Sequence, residues 1–526
     1  MPLRQTMKDS GHARICVPVC ARRAEELPGA AARAAAVADL IELRFDCLEA
    51  SQLDAAVRDL GATAAAAARP LVCTFRPAGQ GGGRDLDARA RLAFWARLGG
   101  GVRAGRSRPP DFLDLELDLF APEHAAEVLK LAGGSALICS HHDFGGTPHD
   151  LARVYEAMSR TPARVLKLAV RAERITDCLE VLKLLARARR DGREMIAVAM
   201  GEAGLLTRVL GPSRGSLLTY GAPDEGPATA PGQVSARELR EVYRVHAVSE
   251  RTIVTGLVGS PVAHSLSPHM HNAAFAACGV DGVYIPFEVT DLDSFMRRMA
   301  DPRTRELDWN LRGFSVTAPH KTAIIGHLDA VEQRAAAVGA VNTVGIVGDD
   351  GLTGYNTDAE AALQPLRDLL TIRGARAAVL GSGGAARALL WALGERGARA
   401  TVFARDPESA RQVAADFNAG SAPLGGASFA GFDLVVNATP LGTRGARVHE
   451  TPAAAAQLRG ARVAYDLVYN PAETRFLREA RAAGCETVGG LAMLVAQAAE
   501  QFRLWTGIEA PLEVMRAAAE GQRSRQ

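Results

Sequence analysis

Lysine is rare in this chain, and two of its lysines lie where an amine could do chemistry. Only five of the 61 basic residues are lysines, at positions 8, 130, 167, 183 and 321, and arginine supplies the rest. A lysine within a tightly patterned segment therefore indicates a use for its amine. Lys167 lies inside the apolar run VLKLA, and Lys321 ends the segment GFSVTAPHK. A neutral amine attacks a carbonyl or exchanges a proton, whereas a guanidinium does neither.

Other polar side chains of the first half gather at the ends of apolar runs. His142 ends the fifth of these runs, and Lys167 lies within the sixth. A metal site at His141 and His142 is disfavoured, since adjacent residues of a strand point to opposite faces, and His141 is interpreted as structural. The remaining candidates are Glu42, Arg44, Arg76, Glu116, Arg208, Thr229 and Gln233.

The elements that would position these residues are eight short apolar or alternating runs between residues 14 and 221. Most are separated by helix-like stretches, a pattern that predicts a compact (β/α)₈ barrel, with chemistry at the carboxyl ends of its strands. Alternatively, Lys167 could extend its amine to the barrel rim and serve no chemistry. The runs read RICVPVC, ADLIELRF, PLVCTFR, DFLDLEL, SALICSHHD, RVLKLAV, EMIAVAM and GSLLTY.

A glycine turn marks the second half of the chain. In VLGSGGAAR (379–387) an apolar run closes onto a turn that opens an alanine-rich helix. Gly381 allows the tight turn, Gly383 lets the backbone approach a pyrophosphate, and Ala386 permits close helix packing, as in dinucleotide sites. The next apolar run, 400–403, is followed by Arg405 rather than an acidic residue, which favours NADP over NAD. The alternative for Arg405 is a solvated surface arginine.

Composition excludes several other classes of function. The 526 residues carry a formal net charge of +2 and no basic tract, so nothing indicates binding to nucleic acid or to a membrane surface. Small anionic ligands fit. No apolar stretch has the length of a signal peptide or a membrane span, and the cysteines show no metal-type spacing, so a cytoplasmic protein with reduced thiols is expected. His264, His269 and His271 do not have the spacing of a zinc site.

The first half resembles type I 3-dehydroquinate dehydratase. The matching segments are ELR (42–44), TFR (74–76), LELD (115–118), SHHDF (140–144), VLKLA (165–169), LLTR (205–208) and TAPGQ (229–233). The resemblance implies that Lys167 forms an imine with the substrate ketone, that His142 moves the protons and that Glu116 orients His142. It also implies that the substrate is held by Glu42, Arg44, Arg76, Arg208, Thr229 and Gln233. Thr229 stands where the family usually has serine and keeps the hydroxyl.

The second half resembles shikimate dehydrogenase. The resemblance rests on the segments PVAHSLSPHMHNAAF (261–275), GFSVTAPHK (313–321), GAVNT (339–343), GYNTD (354–358), NATPLG (437–442), YDLVYNP (465–471), GGLAML (489–494) and QAAEQF (497–502). It implies that Lys321 supplies a proton to a ring ketone while Asp358 anchors a hydroxyl and the lysine charge. The implied substrate contacts are Ser265, Ser267, Thr317, Asn342, Tyr469 and Gln497. The implied NADP contacts are Gly381, Ser382, Gly383, Gly384, Ala385, Arg405, Asn437, Thr439, Gly490 and Met493.

Structural alternatives stay open for three of these residues. Ser267 could cap a helix that has Pro268 at its first turn, Asp358 could cap the helix that follows it, and Lys321 could be a surface lysine. The chain also departs from the family pattern, which commonly has asparagine at Ser315 and in place of Ala404 before Arg405. The second exchange removes one contact to the adenosine ribose or its 2′-phosphate, which Arg411 could replace.

Together these patterns predict a single α/β chain that carries two successive enzymes of the shikimate pathway. The first dehydrates 3-dehydroquinate to 3-dehydroshikimate, and the second reduces that product to shikimate with NADPH. The alternatives are a catabolic quinate or shikimate dehydrogenase and a non-catalytic sensor of pathway intermediates. The expected parts are a dehydratase barrel (12–247), a substrate-binding domain (252–372), an NADP-binding Rossmann domain (373–488) and C-terminal helices that return to the substrate domain (489–522).

Overall fold

The computed structural model describes residues 13–103, 109–131, 134–147, 150–224, 230–347 and 351–525. The chain divides into two compact units at Thr252–Ile253, and the short segments Phe287–Asp291 and Glu306–Trp309 group with the first unit. Each unit has its own buried core.

The first unit contains an eight-stranded parallel sheet in the order β7-β6-β5-β4-β3-β2-β1-β8. Residues next to β8 close the sheet onto β7, because Leu217 N donates to Met195 O at 2.8 Å and Ser216 bridges Met195. All eight predicted runs form strands, and the predicted barrel is confirmed. The strands are β1 (Ile15–Val19), β2 (Leu40–Arg44), β3 (Leu71–Thr74), β4 (Phe112–Glu116), β5 (Ala136–Asp143), β6 (Val165–Arg171), β7 (Glu194–Met200) and β8 (Thr219–Tyr220).

Helices of the first unit alternate with these strands, as the barrel requires. Each presents apolar residues to the sheet, as Leu182 and Leu185 do on α7. The helices are α1 (Leu27–Ala35), α2 (Leu53–Arg58), α3 (Leu60–Ala67), α4 (Ala88–Arg103), α5 (Ala125–Leu131), α6 (Leu151–Ser159), α7 (Cys178–Arg190), α8 (Leu205–Leu210) and α9 (Ala236–Glu241).

An apolar layer fills the barrel interior below the strand ends. It takes buried residues from every strand or the residue beside it, from Cys16 on β1 to Ile196 on β7 and Leu218 before β8. Because this layer is dry and closely packed, polar side chains are confined to the opposite, carboxyl-terminal end of the barrel.

The second unit begins with a mixed six-stranded sheet in the order β10-β9-β11-β13-β14-β12. β9 and β11 are parallel, whereas β13 runs antiparallel to β11 and to β14. Its strands are β9 (Ile253–Gly259), β10 (Gly282–Glu288), β11 (Leu311–Val316), β12 (Ala330–Val331), β13 (Thr343–Val347) and β14 (Gly351–Tyr355). The helices along this part are α10 (Ser267–Ala277), α11 (Leu292–Phe295), α12 (Gln333–Val338) and α13 (Asp358–Leu363).

A second six-stranded sheet follows, parallel throughout, in the order β17-β16-β15-β18-β19-β20. Numbered from its own first strand this order is 3-2-1-4-5-6, the order of dinucleotide-binding sheets. The predicted Rossmann fold is confirmed. The strands are β15 (Arg376–Leu380), β16 (Arg399–Ala404), β17 (Gly420–Pro423), β18 (Leu434–Asn437), β19 (Val463–Asp466) and β20 (Glu486–Val488). The helices are α14 (Gly384–Glu395), α15 (Pro407–Asp416), α16 (Ala455–Leu458), α17 (Arg475–Ala482), α18 (Leu491–Thr506) and α19 (Leu512–Arg525).

The C-terminal helices pack on the first sheet of this unit. Phe502 and Trp505 of α18 and Met515 of α19 share a buried cluster with Phe275 and Tyr284. The side chains of α18 thereby reach the helix and strands that carry the first polar motifs of the second half.

Two other properties of the chain bear on the sequence predictions. Within the described residues no helix combines the length and apolar character needed to cross a membrane. Cys20 and Cys47 form a disulfide with their Cα atoms 5.4 Å apart, so the expectation of reduced thiols is wrong for this pair. These cysteines are far apart in the sequence and come together only because β1 and β2 are neighbours.

Candidate active sites

Lys167 lies in the middle of β6 and points into the barrel, where its amine is buried between two carboxylates. Its Nζ is 3.0 Å from Glu42 Oε1 and 2.8 Å from Asp114 Oδ2. It also lies 4.4 Å from the centre of the Tyr220 ring. The lysine is only 5% exposed, so its amine does not extend to the barrel rim.

A chain of ion pairs surrounds this amine. Arg76 donates to Asp114 at 2.7 Å and to Glu116 at 2.8 Å, and Arg91 donates to the other oxygen of Glu116 at 2.8 Å. Burial opposes ionisation of Asp114, but the positive charges of Arg76 and Lys167 hold its pKa well below the usual range. Asp114 therefore stays charged and holds the Lys167 amine in place.

The structure places the Glu116 carboxylate against two arginines rather than against His142. Both oxygens of Glu116 accept from arginines, and no hydrogen bond joins it to His142 within the described residues. The reason is competition, since two charged donors from α4 and the end of β3 bind the carboxylate more strongly than one imidazole would. Glu116 thus fixes Arg76 rather than the histidine.

His142 ends up beside the amine with one ring nitrogen unused. Its Nδ1 is buried without a hydrogen-bond partner, and its backbone N–H donates to Gln80 Oε1 at 3.1 Å. Burial, together with the positive charges of Arg76 and Lys167, lowers the pKa of His142 well below its usual value. The imidazole is consequently neutral at neutral pH and able to accept a proton.

This lowered pKa gives a pH prediction for the dehydration reaction. A base with a depressed pKa stays active as the pH falls, so the acid limb of kcat/KM should lie below pH 6.5, the usual histidine value. A pH profile of kcat/KM, with controls for effects of the buffer, measures the midpoint of this acid limb. An acid limb centred at or above pH 7 would contradict the assignment of His142 as base.

A short loop after β3 covers the pocket. Arg44 forms a paired contact with Asp46 at 2.9 and 2.7 Å and donates to Gly81 O at 3.2 Å. Asp46 also accepts from Gly83 N at 3.0 Å. Gly82 leaves no room for a side chain, because a Cβ there would lie 1.9 Å from Arg76 O. The loop is therefore fixed by contacts to the arginines of the pocket rather than being a free connection.

Arg208 has two buried donor nitrogens that no group of the described residues satisfies. It is 1% exposed, and its Nη1 donates to Tyr220 O at 3.2 Å, while Nε and Nη2 are buried without partners. Burial lowers the pKa of Arg208 to about 10, so it remains charged at neutral pH. Gln233 lies on the same wall, and Thr229 lies outside the described residues. The cavity is lined by Glu42, Arg44, Arg76, Gln80, Gly81, His142, Phe144, Lys167, Leu168, Ala169, Ile196, Val198, Met200, Arg208, Tyr220, Ala230 and Gln233.

The second lysine has one carboxylate partner. Lys321 Nζ lies 2.6 Å from Asp358 Oδ2, and both side chains are largely buried. Asp358 is the first residue of α13 and Thr357 holds the N-cap position, so the capping alternative does not describe Asp358. Lys321 is equally not a surface lysine. Its backbone O accepts from Val341 N at 2.7 Å, which holds it against the loop before β13.

Hydroxyl groups line the region around the start of α10. Ser267 N donates to Ser265 Oγ at 3.2 Å. Ser267 is the first residue of α10, and Leu266 holds the N-cap position, so the cap alternative does not describe Ser267. Tyr469 hydrogen-bonds to Ser265, which acts against the rise that burial causes in the tyrosine pKa. Thr317 follows β11 directly, with its backbone N donating to Val258 O at 2.9 Å.

A buried hydrogen-bond network fixes Asn342. Its amide donates to Thr357 Oγ1 at 2.9 Å and accepts from Thr357 N at 2.8 Å. Gln501 donates to Asn342 O at 3.3 Å and accepts from Ser315 at 2.8 Å. Ser315 thus has a partner despite replacing the family's asparagine. Gln497 is not part of this network, because its amide donates to Leu494 O at 2.8 Å on its own helix.

The glycine turn between β15 and α14 has the shape that a dinucleotide requires. Gly381 has φ +118°, a conformation that favours glycine. A Cβ at Gly383 would meet nothing within 4 Å, so this backbone faces open space, and the start of α14 has no side-chain cap. Unused helix N–H groups beside an open backbone suit a pyrophosphate, and the residues present therefore fit NADP.

The turn also adjoins Lys321, since a Cβ on Gly384 would lie 3.0 Å from Lys321 Cδ. This places a bound dinucleotide near the second lysine. Asn437 ends β18 and accepts from Thr439 N and Oγ1 at 3.0 and 2.6 Å, which shapes the neighbouring loop. Ala385 follows in α14, Gly490 precedes α18, and Met493 is buried against the Rossmann core.

Several functional residues were not predicted from the sequence. Asp114 lies two residues before Glu116, and residues two apart on a strand share a face, so strand alternation could have identified it. Gln80, Arg91 and Thr357 gave no such signal, because their roles come from contacts between segments distant in sequence. In the described part of the chain no cluster of three or more His, Cys, Asp or Glu side chains is placed to hold a metal ion.

The chain thus combines two kinds of enzyme. The barrel with its buried lysine has the features of a lyase, and the mixed sheet with the dinucleotide-binding sheet has those of an oxidoreductase. Family models agree with this division. They match type I 3-dehydroquinase at residues 15–250, the shikimate dehydrogenase substrate-binding domain at 257–344 and the shikimate 5′-dehydrogenase C-terminal domain at 490–520.

Individual relatives cover either the whole chain or its second half. The bifunctional, chloroplastic 3-dehydroquinate dehydratase/shikimate dehydrogenase of Arabidopsis thaliana is 31% identical over 95% of this chain and 83% of its own. The NADP(+) shikimate dehydrogenase of Moorella thermoacetica is 45% identical over 51% of this chain and 92% of its own. The crystal structure of shikimate 5-dehydrogenase from Thermus thermophilus in complex with NADP(H) and shikimate is 39% identical in sequence. The match spans 51% of this chain and 99% of the Thermus chain, with a TM-score of 0.45.

The chain belongs to the family of bifunctional 3-dehydroquinate dehydratase/shikimate dehydrogenases. It is a lyase and an NADP-dependent oxidoreductase of the shikimate pathway.

Proposed function

We propose that the barrel dehydrates 3-dehydroquinate through an imine on Lys167. The amine attacks the ring ketone, water leaves, and the resulting iminium acidifies the adjacent C–H bond. His142 accepts that proton and returns it to the departing hydroxyl, so water is lost overall. Hydrolysis then releases 3-dehydroshikimate and the free amine. Glu42 and Asp114 hold the amine, and Glu116 acts through Arg76 rather than through the histidine.

The observation that carries this proposal is that Lys167 and Arg208 line the same cavity. A buried guanidinium with two unused donor nitrogens is costly unless a ligand satisfies them. A carboxylate does so with two parallel hydrogen bonds. Arg208 would bind the substrate carboxylate, while Arg44, Arg76, Gln233 and Thr229 would hold its hydroxyls from the remaining sides.

Replacing Arg208 with methionine tests this assignment. We expect KM for 3-dehydroquinate to rise about 100-fold or more, because a charged, bidentate contact is lost. The unfolding temperature should not fall, since the substitution removes an incompletely paired buried charge. Steady-state kinetics and thermal unfolding measure the two effects.

The matched control is Arg193→Met, which removes a partly buried arginine that donates to Ala163 O outside the cavity. Its KM should stay at the wild-type value. An Arg208→Met variant that binds substrate within twofold of wild type would overturn the carboxylate assignment.

For the second half we propose that Lys321 donates the proton in the reduction of 3-dehydroshikimate to shikimate. The chemistry that NADPH would supply when bound here is a hydride for the ring ketone. Lys321 protonates the oxygen that becomes a hydroxyl, and Asp358 fixes the amine and a substrate hydroxyl. Ser265, Ser267 and Tyr469 would bind the carboxylate, and Thr317, Asn342 and Gln497 the other polar groups. For Gln497 this requires its amide to leave Leu494.

The cofactor would lie across the glycine turn, with its pyrophosphate on the backbone of 381–385 and its adenosine ribose near Arg405. Asn437, Thr439, Gly490 and Met493 would surround the nicotinamide end. The domain limits 12–247, 252–372, 373–488 and 489–522 remain part of this proposal, as do the three small-molecule substrates. A cytoplasmic location stays a prediction.

A further inference from the structure

The crevice beside the glycine turn has features that bear on which dinucleotide it accepts, an inference that rests on the cofactor site proposed above. Ser409 Oγ lies 2.7 Å from Ser382 Oγ, which joins the glycine turn to α15. The register of β15 with β16 places these segments side by side, and Gly381 N donates to Phe403 O at 2.8 Å. The pair of hydroxyls thus joins the glycine turn to the helix that follows Arg405, and an adenosine ribose would sit beside this junction.

Among the described residues, Arg405 is the arginine near this position that has no partner. Arg405 is exposed and makes no hydrogen bond or ion pair with any described residue. Arg411 already has a partner, because its guanidinium pairs with Glu408 at 2.5 Å. Arg387 is held by Val338 O and Asp416. The sequence-based suggestion that Arg411 replaces the missing asparagine contact stays a prediction, and it would require Arg411 to leave Glu408.

Acidic residues occupy the start of α15 instead. Asp406 caps this helix by accepting from Glu408 N at 3.1 Å and Ser409 N at 3.4 Å. The N–H groups that would bind a phosphate are already taken by a carboxylate. Asp406 also places a negative charge next to Arg405 in the sequence, whereas the charge of Glu408 is balanced by Arg411. A 2′-phosphate carries negative charge of its own.

We propose that this crevice accepts NAD as well as NADP, and that Asp406 is the residue that limits its preference for the phosphate. The Ser382–Ser409 pair can donate to and accept from an unmodified ribose hydroxyl, which makes a 2′-hydroxyl a good ligand. An exposed ion pair with Arg405 contributes at most about fivefold in affinity, and Asp406 reduces that gain. Wild-type enzyme should bind NADP less than about tenfold more tightly than NAD.

Calorimetric titration of the full chain with NADP and with NAD, without substrate, tests this inference. The variant Asp406→Asn keeps the helix cap and removes the charge. It should bind NADP about three- to fivefold more tightly and NAD within about twofold of wild type, and this gain should shrink at high salt. The matched control is Asp150→Asn, the same change at the cap of α6 in the barrel, where Asp150 accepts from Arg153 N at 3.0 Å. It should change neither affinity.

Either of two results would overturn the inference while leaving the cofactor site in place. One is a wild-type preference for NADP above about 100-fold, and the other is an unchanged NADP affinity in Asp406→Asn. If neither dinucleotide binds, the proposed cofactor site fails and this inference fails with it.

Discussion

Replacing Lys167 with alanine is expected to abolish dehydration of 3-dehydroquinate and to leave reduction of 3-dehydroshikimate unchanged. The amine is the nucleophile of the proposed imine, so its loss removes the covalent route rather than one contact. A rate decrease on the order of 10⁴-fold or more follows. Borohydride added during turnover should fix one substrate to the wild-type chain, and mass spectrometry should find no adduct on the variant.

The control is Lys183→Ala, which removes an exposed lysine from the outer face of the barrel helices. It should keep both activities. Lys167→Arg keeps a cation between Glu42 and Asp114, so it controls for a folding defect caused by loss of the charge. It should also be inactive in dehydration, since a guanidinium forms no imine. Borohydride labelling of a residue other than Lys167 would refute the assignment.

Replacing Lys321 with alanine is expected to lower kcat for reduction of 3-dehydroshikimate by about 10²- to 10⁴-fold, the usual contribution of a positioned acid. The dehydratase should be unaffected. Lys321→Arg separates two roles of the amine, because it preserves the charge beside Asp358 but does not release a proton at neutral pH. It should fold with the wild-type unfolding temperature and remain impaired.

Stopped-flow recording of NADPH absorbance measures this step, and Lys183→Ala again serves as the unaffected comparison. A Lys321→Arg variant with wild-type kcat would show that the residue holds Asp358 in place and donates no proton.

Strand patterning predicted most of the fold and the two lysines. Each apolar run of the first half formed a strand, and Lys167 was identifiable because a lone amine interrupts an otherwise apolar strand. The glycine turn likewise predicted the dinucleotide-binding sheet. These signals are local, since side-chain alternation and turn chemistry depend on a few neighbouring residues.

Partners of the charged groups were harder to predict, because they come from distant segments. Glu116 pairs with Arg91, 25 residues away, and with Arg76, 40 residues away, so its nearest sequence neighbours gave no indication. Ser267 and Asp358 looked like helix caps, yet their side chains face Tyr284 and Lys321 instead. The pairing of Arg411 with Glu408 likewise could not be predicted, because both side chains lie on the exposed face of one helix.

The most direct test of two separate lysine-dependent sites uses the Lys167→Ala variant in one cuvette with NADPH. Addition of 3-dehydroquinate should leave the NADPH absorbance constant, and subsequent addition of 3-dehydroshikimate should consume NADPH at the wild-type rate. NADPH consumption after the first addition would show that Lys167 is not required for dehydration. A constant trace after the second addition would show that the two sites do not work independently.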